Sequence, residues 1–140
     1  MAYQYATWTP DLITGHNIID NQHQQLIIAV NNLFEAHRNG KGPKEVDRTM
    51  DFLVAYTIKH FNDEQALQEK YGYPEYPAHR QIHEEFKKTA RELADALHRN
   101  GPTQEFVGHV CLTIGRWVVN HIKAEDFKMV SYLRSKEQDA

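Results

Sequence analysis

The stretch Asp20-Asn21-Gln22-His23-Gln24-Gln25-Leu26-Ile27-Ile28-Ala29-Val30-Asn31-Asn32-Leu33-Phe34 begins polar and then places Leu26, Ile27, Val30, Leu33 and Phe34 three and four residues apart. That rhythm is one apolar stripe on an α-helix. Three more stretches repeat it. Phe52, Leu53, Tyr56, Phe61 and Leu67 form the second, and Ile82, Phe86, Ala90, Leu93, Ala94 and Leu97 the third. The fourth runs through Val107, Val110, Ile114, Trp117, Val118 and Ile122. Strand-type alternation persists nowhere.

Breaks fall between these stretches: Asn39-Gly40-Lys41-Gly42-Pro43, Tyr71-Gly72-Tyr73-Pro74 with Pro77, and Asn100-Gly101-Pro102. The expected helices are about 20–38, 44–71, 78–99 and 103–134. Asp20 is the expected N-cap of the first, and Pro43 suits the first turn of the second. Short connections force neighbouring helices antiparallel, so the expected fold is all-α, an up-down-up-down four-helix bundle. Residues 1–19 form an irregular arm in which Trp8 packs over a bundle end. The 140 residues make one domain, with no internal repeat or low-complexity tract.

With 16 basic and 19 acidic side chains the formal charge is −3, and no basic cluster marks a nucleic-acid surface. The longest apolar runs fall far short of the ~20 residues of a membrane span. The N-terminus lacks a signal-peptide pattern. The single cysteine, Cys111, cannot form an internal disulfide and reads as a small buried residue. The expectation is a soluble cytoplasmic protein.

The histidines carry the chemistry. His60 and Glu64 are four apart, as are His79 and His83, so each pair is offset by about 40° and shares a helix face. In the antiparallel bundle His23 lies early in the first helix and His60 and Glu64 late in the second. His79 and His83 open the third, and His121 and Asp126 lie late in the fourth. All seven therefore fall at one end of the bundle. A lone histidine on an apolar face is ordinarily a hydrogen-bonded core residue, and an isolated His-x3-Glu pair a surface contact. Neither accounts for seven such groups at one level, whereas a metal site does.

The ordered set formed by Trp8, Ile19-Asp20-Asn21-Gln22-His23, His60-Phe61-Asn62-Asp63-Glu64, Gly72-Tyr73-Pro74 with His79-x3-His83, and Trp117-x3-His121-Ile122-x3-Asp126 resembles the hemerythrin family. The resemblance covers nearly the whole chain, specifically in its single-domain bacterial form, and the up-down bundle is the family's known architecture. It implies a non-haem di-iron centre that binds oxygen reversibly. By analogy one iron takes His79, His83 and His121, and the other takes His23 and His60. Glu64 and Asp126 bridge them with a solvent-derived oxide or hydroxide, and the two-histidine iron keeps an open position for oxygen. The role implied is oxygen storage, delivery to an oxygen-consuming enzyme, or sensing with a partner.

The ligand balance points the same way. Carboxylate-rich di-iron oxidases draw on more acids, whereas five neutral imidazoles and two carboxylates stabilise high-valent iron less. Ile27, Trp117 and Val118, near the histidines, are candidates to wall the oxygen position. The alternative is a di-iron enzyme acting on peroxide or nitric oxide at the same position. A mononuclear zinc site of three histidines and one carboxylate is a more distant reading.

Three details depart from a regular pattern. His121 and Asp126 are five apart, about 140° around an α-helix, so Glu125 is the better geometric partner. Family likeness favours Asp126, which requires the fourth helix to widen locally, as in a π-bulge, or Asp126 to approach from the next turn. Gln65 stands where relatives often carry a second glutamate, and is expected at the surface. His16, His37, His98 and His109 lie outside the motifs, with His16 expected to face solvent.

Overall fold

The computed structural model describes residues 6–138; residues 1–5 of the expected arm lie outside it. The chain forms α1 (Asn17–Arg38), α2 (Pro43–Lys70), α3 (Tyr76–Asn100) and α4 (Gln104–His121). A π-helical turn, Ile122–Asp126, joins α4 to α5 (Phe127–Gln138), so these three pieces make the bundle's fourth rod. Helix α1 packs on α2 and α4, and α3 on α2 and α4, which closes the four-helix ring. No strand occurs among the described residues.

Each apolar stripe read from the sequence turns inward. Leu26, Ile27, Val30 and Leu33 of α1 meet Met50, Leu53 and Phe61 of α2, Phe86 and Leu97 of α3, and Val107, Val110 and Ile114 of α4 in one buried cluster. A second, smaller cluster of Ile19, Tyr73, Met129, Val130 and Leu133 closes the end where α5 lies. Pro43 occupies the first turn of α2 behind Gly42, whose φ of 91° favours glycine.

The first helix starts three residues earlier than its sequence suggests, and Asp20 is not its N-cap. His16 caps α1 instead, its Nδ1 accepting the Ile19 N–H at 3.4 Å. Its side chain is only 11% exposed and lies 3.6 Å from Glu137, so the expected solvent-facing His16 is corrected as well. Asp20 turns backward onto the arm. Its carboxylate accepts from the Thr14 N–H at 3.0 Å, the Thr14 hydroxyl at 2.6 Å and the Gly15 N–H at 3.1 Å. Three donors on one charged acceptor outcompete a single cap bond.

The described part of the arm then runs back along the bundle. A short 3-10 turn, Pro10–Leu12, buries Leu12, and Trp8 packs against the main core. Asn31 holds Ala6 through both backbone groups, and Asp11 pairs with Lys123 of the π-turn at 3.1 Å.

Candidate metal centre

All seven candidate ligands converge between the four rods, each at most 6% exposed. His23 comes from the second turn of α1, His60 and Glu64 from α2, His79 and His83 from α3, His121 from the end of α4 and Asp126 from the π-turn. They fall into two groups whose ligand atoms lie within 4.8 Å of one another. One comprises Glu64, His79, His83, His121 and Asp126, and the other His23, His60, Glu64 and Asp126. The two carboxylates belong to both.

The oxygens of each carboxylate are divided between the groups. Glu64 Oε1 lies 2.9 Å from His79 Nε2 and 3.3 Å from His83 Nε2, while its Oε2 lies 3.1 Å from His60 Nε2 and 3.8 Å from His23 Nε2. Asp126 Oδ1 lies 3.2 Å from the Nε2 atoms of both His79 and His121, and its Oδ2 lies 2.9 Å from His23 Nε2. Each acid thus spans a three-histidine and a two-histidine position.

The π-turn resolves the spacing problem at His121. A π-turn closes i→i+5 rather than i→i+4, and the Phe127 N–H accordingly donates to the Ile122 carbonyl. The added residue carries Asp126 inward to 1% exposure. Glu125 is displaced outward, 3.6 Å from Lys128. Local widening, one of the two geometries open from the sequence, is the one adopted.

Electrostatics support a cation-seeking cluster. His121 Nε2 lies 3.2 Å from the Nε2 atoms of both His83 and His79, so three ring nitrogens crowd one point. Facing lone pairs repel unless a proton or metal ion lies between them. Several of the buried atoms, His23 Nε2 and both oxygens of Glu64 and of Asp126, approach their neighbours without hydrogen-bond geometry. Such unsatisfied buried groups are costly, and a cation satisfies them together.

Burial disfavours charge on His23 and His79, yet the close approach and attraction of the Asp126 and Glu64 carboxylates outweigh it and raise both to about 9. His83 behaves oppositely. Burial, with the nearby His79 and His121, overcomes Glu64 and pushes it down to about 4. Burial alone would raise Glu64 and Asp126, but the surrounding histidines hold both below the ordinary carboxylate range. The two acids therefore stay ionised at neutral pH, as metal ligands must.

Aromatic side chains hold the three-histidine side. Phe61 stacks on His83 with centroids 3.8 Å apart and planes 2° apart. Trp117 stacks on His121 at 4.4 Å and 12°, and on Phe86 at 3.8 Å. Trp117 therefore sits against the three-histidine group, while Ile27 and Val118, both 3% exposed, belong to the apolar core beside the centre.

Sequence reasoning missed two side chains. Gln22 Oε1 lies 2.6 Å from His60 Nδ1, and Gln65 Oε1 lies 3.0 Å from His83 Nδ1. Gln65 is half-buried rather than a surface bystander. The adjacency of Gln22 to His23 was visible, but its partner is on another helix.

Comparison with known proteins agrees with this geometry. The hemerythrin HHE cation binding domain matches residues 14–133. The bacteriohemerythrin of Pseudomonas aeruginosa is 32% identical over 130 residues, 93% of this chain and 82% of the relative. That of Methylococcus capsulatus is 29% identical over 126 residues, covering 86% and 90% of the two chains. A crystal structure of wild-type hemerythrin superposes with a TM-score of 0.78 at 27% identity, covering 91% of this chain and 96% of its own. The bundle, the shared carboxylates and these matches together place the chain in the hemerythrin family.

Proposed function

We propose that the chain binds oxygen reversibly at a non-haem di-iron centre, with His79, His83 and His121 serving one iron and His23 and His60 the other. The observation that carries this reading is the division of Glu64 and Asp126 between the two groups of histidines. A mononuclear zinc site would use one group and strand the remaining buried histidines and carboxylate oxygens.

Two ferrous ions bound there would supply the two electrons and the coordination position that reversible oxygen binding needs. The protein's part is to hold unequal sets: three histidines on one side, two on the other, with both acids common. The two-histidine side offers one protein ligand fewer, so an exchangeable position would fall beside His23 and His60. Ile27, four residues after His23 on α1, and Val118, three before His121 on α4, are buried apolar side chains that would wall the centre, while Phe61 and Trp117 fix the planes of His83 and His121. Two carboxylates against two divalent ions limit the negative charge available, which favours the lower oxidation state and release of oxygen over its consumption. Storage, or delivery to an oxygen-consuming enzyme, fits this chemistry.

Loading the metal-free protein with iron(II) without air, then counting iron and oxygen taken up, tests the proposal. Two irons and one oxygen molecule per chain, with the oxygen recovered under vacuum, are expected. Oxygen consumed without recovery would favour the enzymatic reading on peroxide or nitric oxide, and one metal per chain would overturn the di-iron centre.

A further inference from the structure

Each of the two histidine groups contains one imidazole whose outer nitrogen faces a glutamine carbonyl: His60 faces Gln22 at 2.6 Å and His83 faces Gln65 at 3.0 Å. For Gln22 the amide orientation is determined by its other end. Gln22 Nε2 lies 2.8 Å from Asp63 Oδ2, and a carboxylate only accepts, so the amide oxygen must point at His60. Lys59 Nζ meets the same Asp63 oxygen at 2.8 Å, which anchors the chain at the surface. An amide oxygen also only accepts. It therefore keeps the imidazole proton on Nδ1 and directs the Nε2 lone pair at the carboxylates.

The charge of the partner matters as much as its position. A carboxylate facing the outer N–H of a ligating histidine makes the imidazole a stronger donor and stabilises the oxidised metal. A neutral amide orients the ring while adding no negative charge. Gln22 is 9% exposed and packed between α1 and α2, so this is a built contact rather than a surface encounter. An acid, Asp63, does enter the Gln22 chain of contacts, but it is removed from His60 by one side chain and paired with Lys59.

We propose that Gln22 and Gln65 are positioning residues that hold His60 and His83 with Nε2 free for metal and, being uncharged, keep the reduction potential of the centre higher than carboxylates there would. The second half rests on the di-iron reading; the first needs only a metal.

Zinc affinity measured by chelator competition tests the positioning. Gln22→Leu and Gln65→Leu are each expected to lower it about 10- to 100-fold, and Gln65→Glu, which retains an acceptor oxygen, to restore it. Unchanged affinity in the leucine variants, or failure of Gln65→Glu to rescue, overturns the positioning role. Redox titration of the iron-loaded protein tests the tuning. At two irons per chain Gln22→Glu and Gln65→Glu are each expected to shift the potential downward, about 59 mV for a tenfold change in a one-electron equilibrium. An unchanged or raised potential at full loading overturns the tuning while leaving the di-iron reading intact. Fewer than two irons in the unsubstituted protein overturns that reading and the tuning with it, and the zinc result decides positioning separately.

Discussion

Among the described residues, clusters of histidine and carboxylate occupy opposite ends of this bundle, and only one is arranged for a metal. At the far end His98 of α3 lies between two aspartates of α2, with Nδ1 3.1 Å from Asp47 and Nε2 3.1 Å from Asp51. Each ring nitrogen serves a different acid, the side chain is 37% exposed, and hydrogen bonds donated to Asp51 and then Asp47 raise the pKa of His98 despite slight burial. That is a surface staple. At the other end the histidines present Nε2 to oxygens shared between neighbours, in full burial. Residue types are the same at both ends; convergence and desolvation make the difference.

Removing a shared acid should break the contrast most severely. Glu64→Ala or Asp126→Ala is expected to reduce metal content from two ions to one or none, whereas Glu125→Ala keeps both, as metal analysis would show. Asp126 retained as dispensable and Glu125 as essential would contradict the π-turn assignment.

The far end should respond in stability instead. Leu97, fully buried there, is expected to cost about 2–5 kcal/mol on truncation to alanine, read by denaturant unfolding, with metal stoichiometry unchanged. His98→Ala is expected to alter stability by no more than about 0.5 kcal/mol in the same measurement.

Acidity probes the buried end directly. The folded-state values of His23 and His79 lie above the ordinary 6.5, so the stability they lend the metal-free protein is complete below pH 6.5 and lost as pH rises through about 9. A cation must displace those protons, so metal affinity should tighten across the same interval. Unfolding midpoints and metal competition measured from pH 6.5 to 9 should therefore run in opposite directions. Parallel trends would mean that the two histidines are not held protonated by Glu64 and Asp126.

Much of this was legible in the chain because it depends on spacing along one helix. Apolar residues three and four apart specify the inward stripe, and histidines four apart specify a common face, so the bundle and the gathering of seven groups at one end could both be read. The misfit between His121 and Asp126 was itself a signal of the π-turn. What escaped depends on contacts between elements. Asp20 looks like a cap by position, but Thr14 and Gly15 offer it three donors once the arm folds back. Gln65 looks like polar surface, and the meeting of Gln22 and Gln65 with His60 and His83 is set by how the helices rotate against one another.

The central claim is that Glu64 and Asp126 are shared by two metal positions. Anomalous diffraction at the iron absorption edge, from crystals grown of iron-loaded protein, tests it most directly. The account predicts two iron peaks among the seven side chains, each within bonding distance of both carboxylates, and none at His98. A single peak, or two that share no carboxylate, would contradict it.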